Sequence, residues 1–251
     1  MSLKKNVEQY NRDIEAGNSY GYTEESKYSA YLANKRVTNA IFEYIRSHDN
    51  EITSILDIGC GDGTYTNQIK LQFPAKEVAG FDPAARAIGV AQQKFPGVRY
   101  FVADAEEYRQ SASEKPYDLA ILSSVLHHTA HPDRVVRTVS SYADRILIID
   151  PNGYNPVRKL MERTCSYYIE HEEVSYTSKT IRAWCEAAGY HLDPVRHYGF
   201  VPLFFPTLPA KIIWFFTPVL EKIPGISHCF SAITVVSGKG TAESRSPADK
   251  Q

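Results

Sequence analysis

At 251 residues, 43% of them hydrophobic and 23% charged, the chain is long enough for one large domain and too apolar for a disordered segment. Lysine plus arginine total 28 against 29 aspartate plus glutamate, so there is no basic surplus to grip a phosphate backbone, and nucleic acid is excluded as a partner. The four cysteines, Cys60, Cys165, Cys185 and Cys229, form no CxxC pair; no zinc site, other metal or disulfide framework is expected. That usage fits a reducing cytoplasm, and residues 1–20 lack the apolar run of a signal peptide, so a cytoplasmic location is expected.

In chain order, Tyr28, Tyr31, Leu32, Val37, Ala40, Ile41, Tyr44 and Ile45 recur at helical spacing and predict an amphipathic helix over 28–45, behind a polar arm bearing Tyr20 and Tyr22. From residue 51 short aliphatic runs alternate with helical segments, the pattern of βαβ units and a parallel sheet. Strands are predicted at 54–58, 77–81, 98–102, 119–123 and 145–149, with helices at 65–73, 84–94, 106–113 and 132–143 between them. A further helix over 178–188 is stopped by Gly189. Two late strands are expected near 194–201 and 231–236, around an apolar insert at 200–224. Pro202, Pro206, Pro209, Pro218 and Lys211 interrupt that insert, which argues against a membrane span, and a helix over 211–223 would be long enough only to lie in an interface. The expected organisation is an arm and cap helix at 1–50, one ligand-binding domain at 51–238 and a mobile tail at 239–251.

The run SILDIGCGDGTYT carries the most chemistry, because an aliphatic strand passes through Asp57, Gly59, Gly61 and Gly63 into a helix. Such a turn has little side-chain bulk, so a ligand can touch the backbone, and the helix start offers unpaired N–H groups. The spacing is GxGxG, not the GxGxxG of a dinucleotide fold. Asp57 lies two residues before the first glycine, where an acid suits a ligand ammonium and repels a pyrophosphate. Nineteen residues beyond Gly63 the second strand ends at Asp82, the placement from which an acid bonds both ribose hydroxyls. The third strand ends at Asp104, followed by Ala105, where a carboxylate can accept from an exocyclic adenine amine. Together these acids imply a nucleoside ligand.

These motifs resemble those of the class I S-adenosylmethionine-dependent methyltransferases, over about 52–238 and most specifically in the first half. The resemblance implies an α/β, Rossmann-like, doubly wound sheet of seven strands under an N-terminal helical cap, with the last strand, in SAITVVSGK, antiparallel beside the sixth. It implies S-adenosylmethionine as cofactor, with Gly59, Gly61 and Gly63 under its methionine part and Asp57 on its amino group. Asp82 falls on the ribose, Asp104 and Ala105 beside the adenine, and Leu122 and Ser123 of YDLAILSSVLHHT along the donor site; Tyr20 or Tyr22 folds over the donor. His127, at the ligand edge of the sheet, is the candidate catalytic base on the acceptor side, weighed evenly against simple exposure. The implied activity is methyl transfer to a small-molecule or lipid-like acceptor, with peripheral membrane contact available through 200–224. A nicotinamide-dependent oxidoreductase and a non-catalytic nucleoside-binding module on the same fold stay open as alternatives.

Overall fold

Successive side chains of a strand point to opposite faces, and in β1 (Ser54–Ile58) both faces are apolar: Ile55 enters one core cluster, Leu56 and Ile58 the other. A computed structural model describes residues 7–8, 11–12, 14, 27–111, 116–170, 173–203 and 205–241. The same division runs through β4 (Tyr117–Ser123) and β5 (Ala143–Pro151), where Leu119, Ile121, Leu147 and Ile149 take the first face and Ala120, Leu122, Ile146 and Ile148 the second. Helices cover both faces. Ala40, Ile41 and Ile45 of α1 (Tyr28–Ser47) and Ile69 of α2 (Thr64–Gln72) close the first. Tyr108 of α4 (Ala105–Ser111), Val136 and Val139 of α5 (Pro132–Val139), and Ile181 and Cys185 of α8 (Ser178–Ala187) close the second.

The strand order is β3-β2-β1-β4-β5-β8-β6, with β2 at Glu77–Asp82, β3 at Arg99–Val102, β6 at Tyr190–Leu192 and β8 at Ile233–Gly240. β1 to β5 are mutually parallel, and β8 runs antiparallel to β5 and to β6. The chain order reverses between β1 and β4, the switch point at which open α/β sheets bind ligands beyond the carboxyl ends of their strands.

The seven expected positions are filled by eight strands. The sixth is shared by β6 and by β7 (Arg196–Tyr198), both antiparallel to β8. Pro194 interrupts it, since proline has no N–H for the ladder, and Asp193 spans the break: its N–H donates to Ser237 O (2.9 Å) and its carboxylate accepts from Ser237 Oγ (2.7 Å). The strand expected at 194–201 is therefore shorter, and β6 was hidden behind Gly189. β8 has neighbours on both sides and extends to Gly240, two residues past the expected domain end; 242–251 lie outside the described residues.

The insert forms two helices, α9 (Thr207–Leu220) and α10 (Pro224–Phe230), in place of one over 211–223, because Pro224 starts a new helix. α9 packs on α1, where Leu32, Val201 and Ala210 cluster with Tyr31, Ile213 and Trp214. The Arg36 guanidinium of α1 donates to both oxygens of Glu221 (2.8 and 3.0 Å) and stacks 3.8 Å from the Tyr198 ring centroid. α6 (Pro156–Thr164) and α7 (Ser166–Glu170), not anticipated from the sequence, follow β5, and α6 contacts α10.

Candidate functional site

The glycine loop joins β1 to α2. Gly59, Gly61 and Gly63 all have positive φ (67°, 54° and 76°), and at two of them a side chain is also excluded by space. A Cβ on Gly59 would meet Val125 Cγ2 at 2.7 Å, and one on Gly63 would lie 2.7 Å from Tyr100 Oη and 2.8 Å from Ala91 Cβ. The first contact places the segment after β4 directly against the loop.

Asp57 is buried, and its Oδ2 accepts from Thr66 Oγ1 at 2.6 Å. Burial pushes its carboxyl from the ordinary 3.8 up to about 7; the Thr66 bond opposes the rise and the charge of Asp82 adds to it. Asp82, at the end of β2, accepts from the N–H of Gly61 through Oδ2 (3.0 Å) and from the N–H of Ala84 through Oδ1 (2.7 Å). Burial raises it to about 6 against those two bonds. One N–H on each oxygen leaves half of the four lone-pair sites of this carboxylate for a ligand diol. A direct hydrogen bond thus joins the glycine loop to the acid that ends β2.

Asp104 caps α4: its Oδ1 accepts from the N–H groups of Glu106 and Glu107 (2.9 Å each), and Glu107 Oε2 accepts from the N–H of Asp104 (2.9 Å), a reciprocal capping box. Ala105 opens that helix and is half-buried. Leu122 has no exposed side-chain surface and belongs to the core, so it can line a donor site only through its backbone. Ser123 is better placed, because its Oγ is buried without a hydrogen-bond partner. Cys60 packs between loop and sheet, 2.8 to 2.9 Å from where a Cβ on Gly80 would stand, and burial pushes its thiol up, so it is a packing residue and no nucleophile. Tyr20 and Tyr22 lie outside the described residues; nearby parts of the arm do reach the site, with Asn11 Oδ1 accepting from the N–H of Arg86 (3.2 Å) and Ile14 packed on Ala84 and Ala87.

Beyond β4 the exposed Ser124 holds a left-handed φ of 59°, a strained turn for a non-glycine residue that the sequence did not signal. A 3₁₀ turn over Leu126–His128 follows. His127 is 6% exposed, which removes the simple-exposure reading, and its Nδ1 lies 3.0 Å from Oδ1 of the fully buried Asp150 at the end of β5. The rings of His127 and His128 are 3.8 Å apart. His127, His128 and Glu173 bring one possible metal-ligand atom each within 4.8 Å of one another, but Glu173 already accepts from Arg158 Nη2 at 2.6 Å.

An acid-flanked glycine loop at the switch point of a sheet whose last strand is antiparallel defines the class I methyltransferase architecture. A family model described as "Methyltransferase domain" matches residues 26–195, and the chain belongs to that family. It is 28% identical over 122 residues to a malonyl-[acyl-carrier protein] O-methyltransferase of Halalkalibacterium halodurans, covering 47% of this chain and 43% of that one. It is 25% identical over 152 residues to a trans-aconitate 2-methyltransferase of Methylobacterium nodulans, covering 55% and 58%. The chain thus spans about half the length of these curated relatives. Among solved structures it resembles the plantazolicin methyltransferase BpumL with a triazolic desmethylPZN analog and SAH (TM-score 0.57, 17% identity, 95% and 91% covered). It also resembles the magnesium protoporphyrin IX methyltransferase ChlM from Synechocystis PCC 6803 with bound SAH (TM-score 0.59, 14% identity, 84% and 85% covered). At these identities the two structures establish the fold.

Proposed function

We propose that the protein transfers a methyl group from S-adenosylmethionine to a small-molecule or lipid-like acceptor. The observation that carries this reading is the bond from the Gly61 N–H to Asp82, which makes the glycine loop and the ribose-binding acid one cradle. Asp57 faces the donor's ammonium, Asp82 takes the ribose hydroxyls, and Asp104 offers Oδ2 to the adenine amine beside Ala105. The backbone at Leu122 and the unpartnered Oγ of Ser123 close the methionine side, and His127 stands on the acceptor side. The sulfonium supplies an activated methyl group, so the residues of this chain have to align the acceptor and exclude water. Relatives named for malonyl-[acyl-carrier protein] and trans-aconitate support an acceptor that is small or carrier-bound; their own acceptors are carboxylic acids, so they speak for its size and not for the atom methylated. Calorimetry with S-adenosylmethionine, followed by release of S-adenosylhomocysteine across an acceptor panel, tests the proposal; a folded protein that does not bind the donor refutes it.

The acceptor is read as apolar or presented at an anionic membrane surface. No described helix is long and apolar enough to cross a membrane. α9, however, exposes Leu208 (69%), Ile212, Phe215 (76%), Phe216 and Val219, with Ile223 and Phe230 beyond it and Lys211 and Lys222 exposed alongside. Co-sedimentation with phosphatidylglycerol vesicles that is lost in Phe215→Ser/Phe216→Ser supports this; equal recovery of both proteins in the supernatant removes it.

A further inference from the structure

We infer that His127 and Asp150 form an oriented base, and that the acceptor is therefore a hydroxyl or an ammonium that must lose a proton, not a carboxylate. This rests on the methyltransferase reading above and specifies its acceptor side.

β4 and β5 pair in parallel with Ser123 opposite Ile149, so the residues that follow both strands emerge side by side at the ligand edge. The left-handed turn at Ser124, tied by its N–H to Ile149 O (2.8 Å), and the 3₁₀ turn after it fold His127 back over Asp150. Asp150 has no exposed surface, and its Oδ2 is buried with no hydrogen-bond partner. An unpartnered carboxyl oxygen at such depth is costly, and a native fold retains it where the group has work to do.

The 3.0 Å contact fits the tautomer in which His127 Nδ1–H donates to Asp150 Oδ1, which leaves the lone pair on Nε2. The groups facing this pair are the His128 ring, the Glu173 carboxylate neutralised by Arg158, and Tyr176, whose hydroxyl burial pushes up with the charge of Asp150 adding. Val125, two residues before His127, lies against Gly59 of the loop, so the turn that carries the base starts at the glycine loop.

The step balances. The acceptor O–H or N–H bond breaks and its proton goes to His127 Nε2. The freed electron pair forms the bond to the methyl carbon, and the carbon–sulfur bond breaks with its pair staying on sulfur, leaving S-adenosylhomocysteine. Asp150 compensates the imidazolium until the proton passes to water. A carboxylate acceptor is already ionised at neutral pH and gains nothing from this arrangement.

The test has two parts. Nitrogen-15 NMR of histidine-labelled protein at pH 8 reads the tautomer without any acceptor: Nδ1–H is expected for His127, and Nε2–H overturns the inference. Benzyl alcohol, phenol, benzylamine and benzoate are then compared as acceptor probes in wild type, His127→Gln and Asp150→Asn. For the hydroxyl or amine probes kcat is expected to fall about 10²- to 10⁴-fold in both variants, with S-adenosylmethionine affinity within about twofold of wild type. Imidazole added to His127→Ala is expected to restore part of the rate, which a merely structural role would not allow. Turnover confined to benzoate and unchanged in the variants overturns the inference, as does a wild-type activity abolished by chelation and restored by zinc, since His127 would then be a ligand. If wild type fails to bind the donor, it is the methyltransferase reading that fails.

Discussion

Asp57→Asn is expected to stabilise the ligand-free protein and to weaken donor binding, two effects of opposite sign from one carboxylate. Burial lifts the Asp57 carboxyl from 3.8 to about 7, which makes its ionised form about 4 kcal/mol costlier folded than unfolded at high pH. The asparagine stays a buried polar group that needs partners, and we take half of that figure, about 2 kcal/mol, as the gain. For a chain of this length it raises the melting temperature by about 4 to 8 °C. The sign follows from proton binding. Between pH 3.8 and about 7 the folded state holds a proton that the unfolded state has lost, so this contribution to stability is complete below 3.8 and disappears as pH rises through 7. The advantage of Asp57→Asn is therefore full at pH 8 and gone near pH 4, and comparing variant with parent at each pH cancels the titrations of groups not coupled to Asp57, which leaves Asp82 as the neighbour whose titration also moves. Loss of the charged partner of the donor's ammonium costs about 1.5 to 3 kcal/mol, a roughly ten- to hundredfold weaker dissociation constant. Thermal melts at pH 4 and 8 and calorimetry at pH 8 measure both. A lower melting temperature of the variant at pH 8, or an unchanged donor affinity, refutes the reasoning.

Asp82→Ala removes the acid bonded to the N–H groups of Gly61 and Ala84; donor affinity is expected to drop roughly ten- to hundredfold in calorimetry while circular dichroism stays native. Glu221→Gln leaves Arg36 buried with half of its bidentate partner gone, and urea unfolding should show a loss of about 3 kcal/mol, part of which Arg36→Met/Glu221→Met recovers. His197 is pushed from 6.5 down to about 4 by burial, with His228 adding, so the unfolded chain takes its proton first. Its contribution is full above pH 6.5 and lost as pH falls toward 4, by about 1 to 2 kcal/mol once partial exposure is allowed for, and His197→Phe should flatten urea midpoints over that window.

The glycine loop and the acids around it were legible because backbone geometry wrote them into the sequence. Positive φ at Gly59, Gly61 and Gly63 demands glycine, and the acids at 57, 82 and 104 fall at strand ends that hydrophobic runs locate. Asp104 shows the limit of that signal: the residues Asp104 and Glu107 also spell a capping box, and the structure uses them so. The break at Pro194 could have been found from the missing N–H. Strand alternation separates two neighbours that the sequence reading grouped: the Leu122 side chain shares a core face with Ile58 and Ile148, which leaves only its backbone for a ligand, while Ser123 takes the opposite face. Asp150 reads from the sequence as an acid ending the fifth strand at the ligand edge, or as a turn former, and nothing local could pair it with His127, since that contact depends on the lateral register of β4 against β5.

The insert was legible as carrying more apolar surface than one packed helix face uses, but not as to which residues take which face. Ala210 and Thr217, seven residues apart, face inward, while Leu208, Ile212, Phe215 and Val219 recur at steps of four, three and four on the opposite side. One apolar face suffices to pack α9 on α1, and Arg36 with Glu221 already fixes where that helix ends. Among the described residues Leu208, Ile212, Phe215 and Val219 stay exposed, so this second face takes no part in packing α9 on α1. The polar cluster at the carboxyl edge of the sheet and the exposed face of α9 are thus distinct surfaces, one organised around charge and hydrogen bonds, the other around apolar side chains.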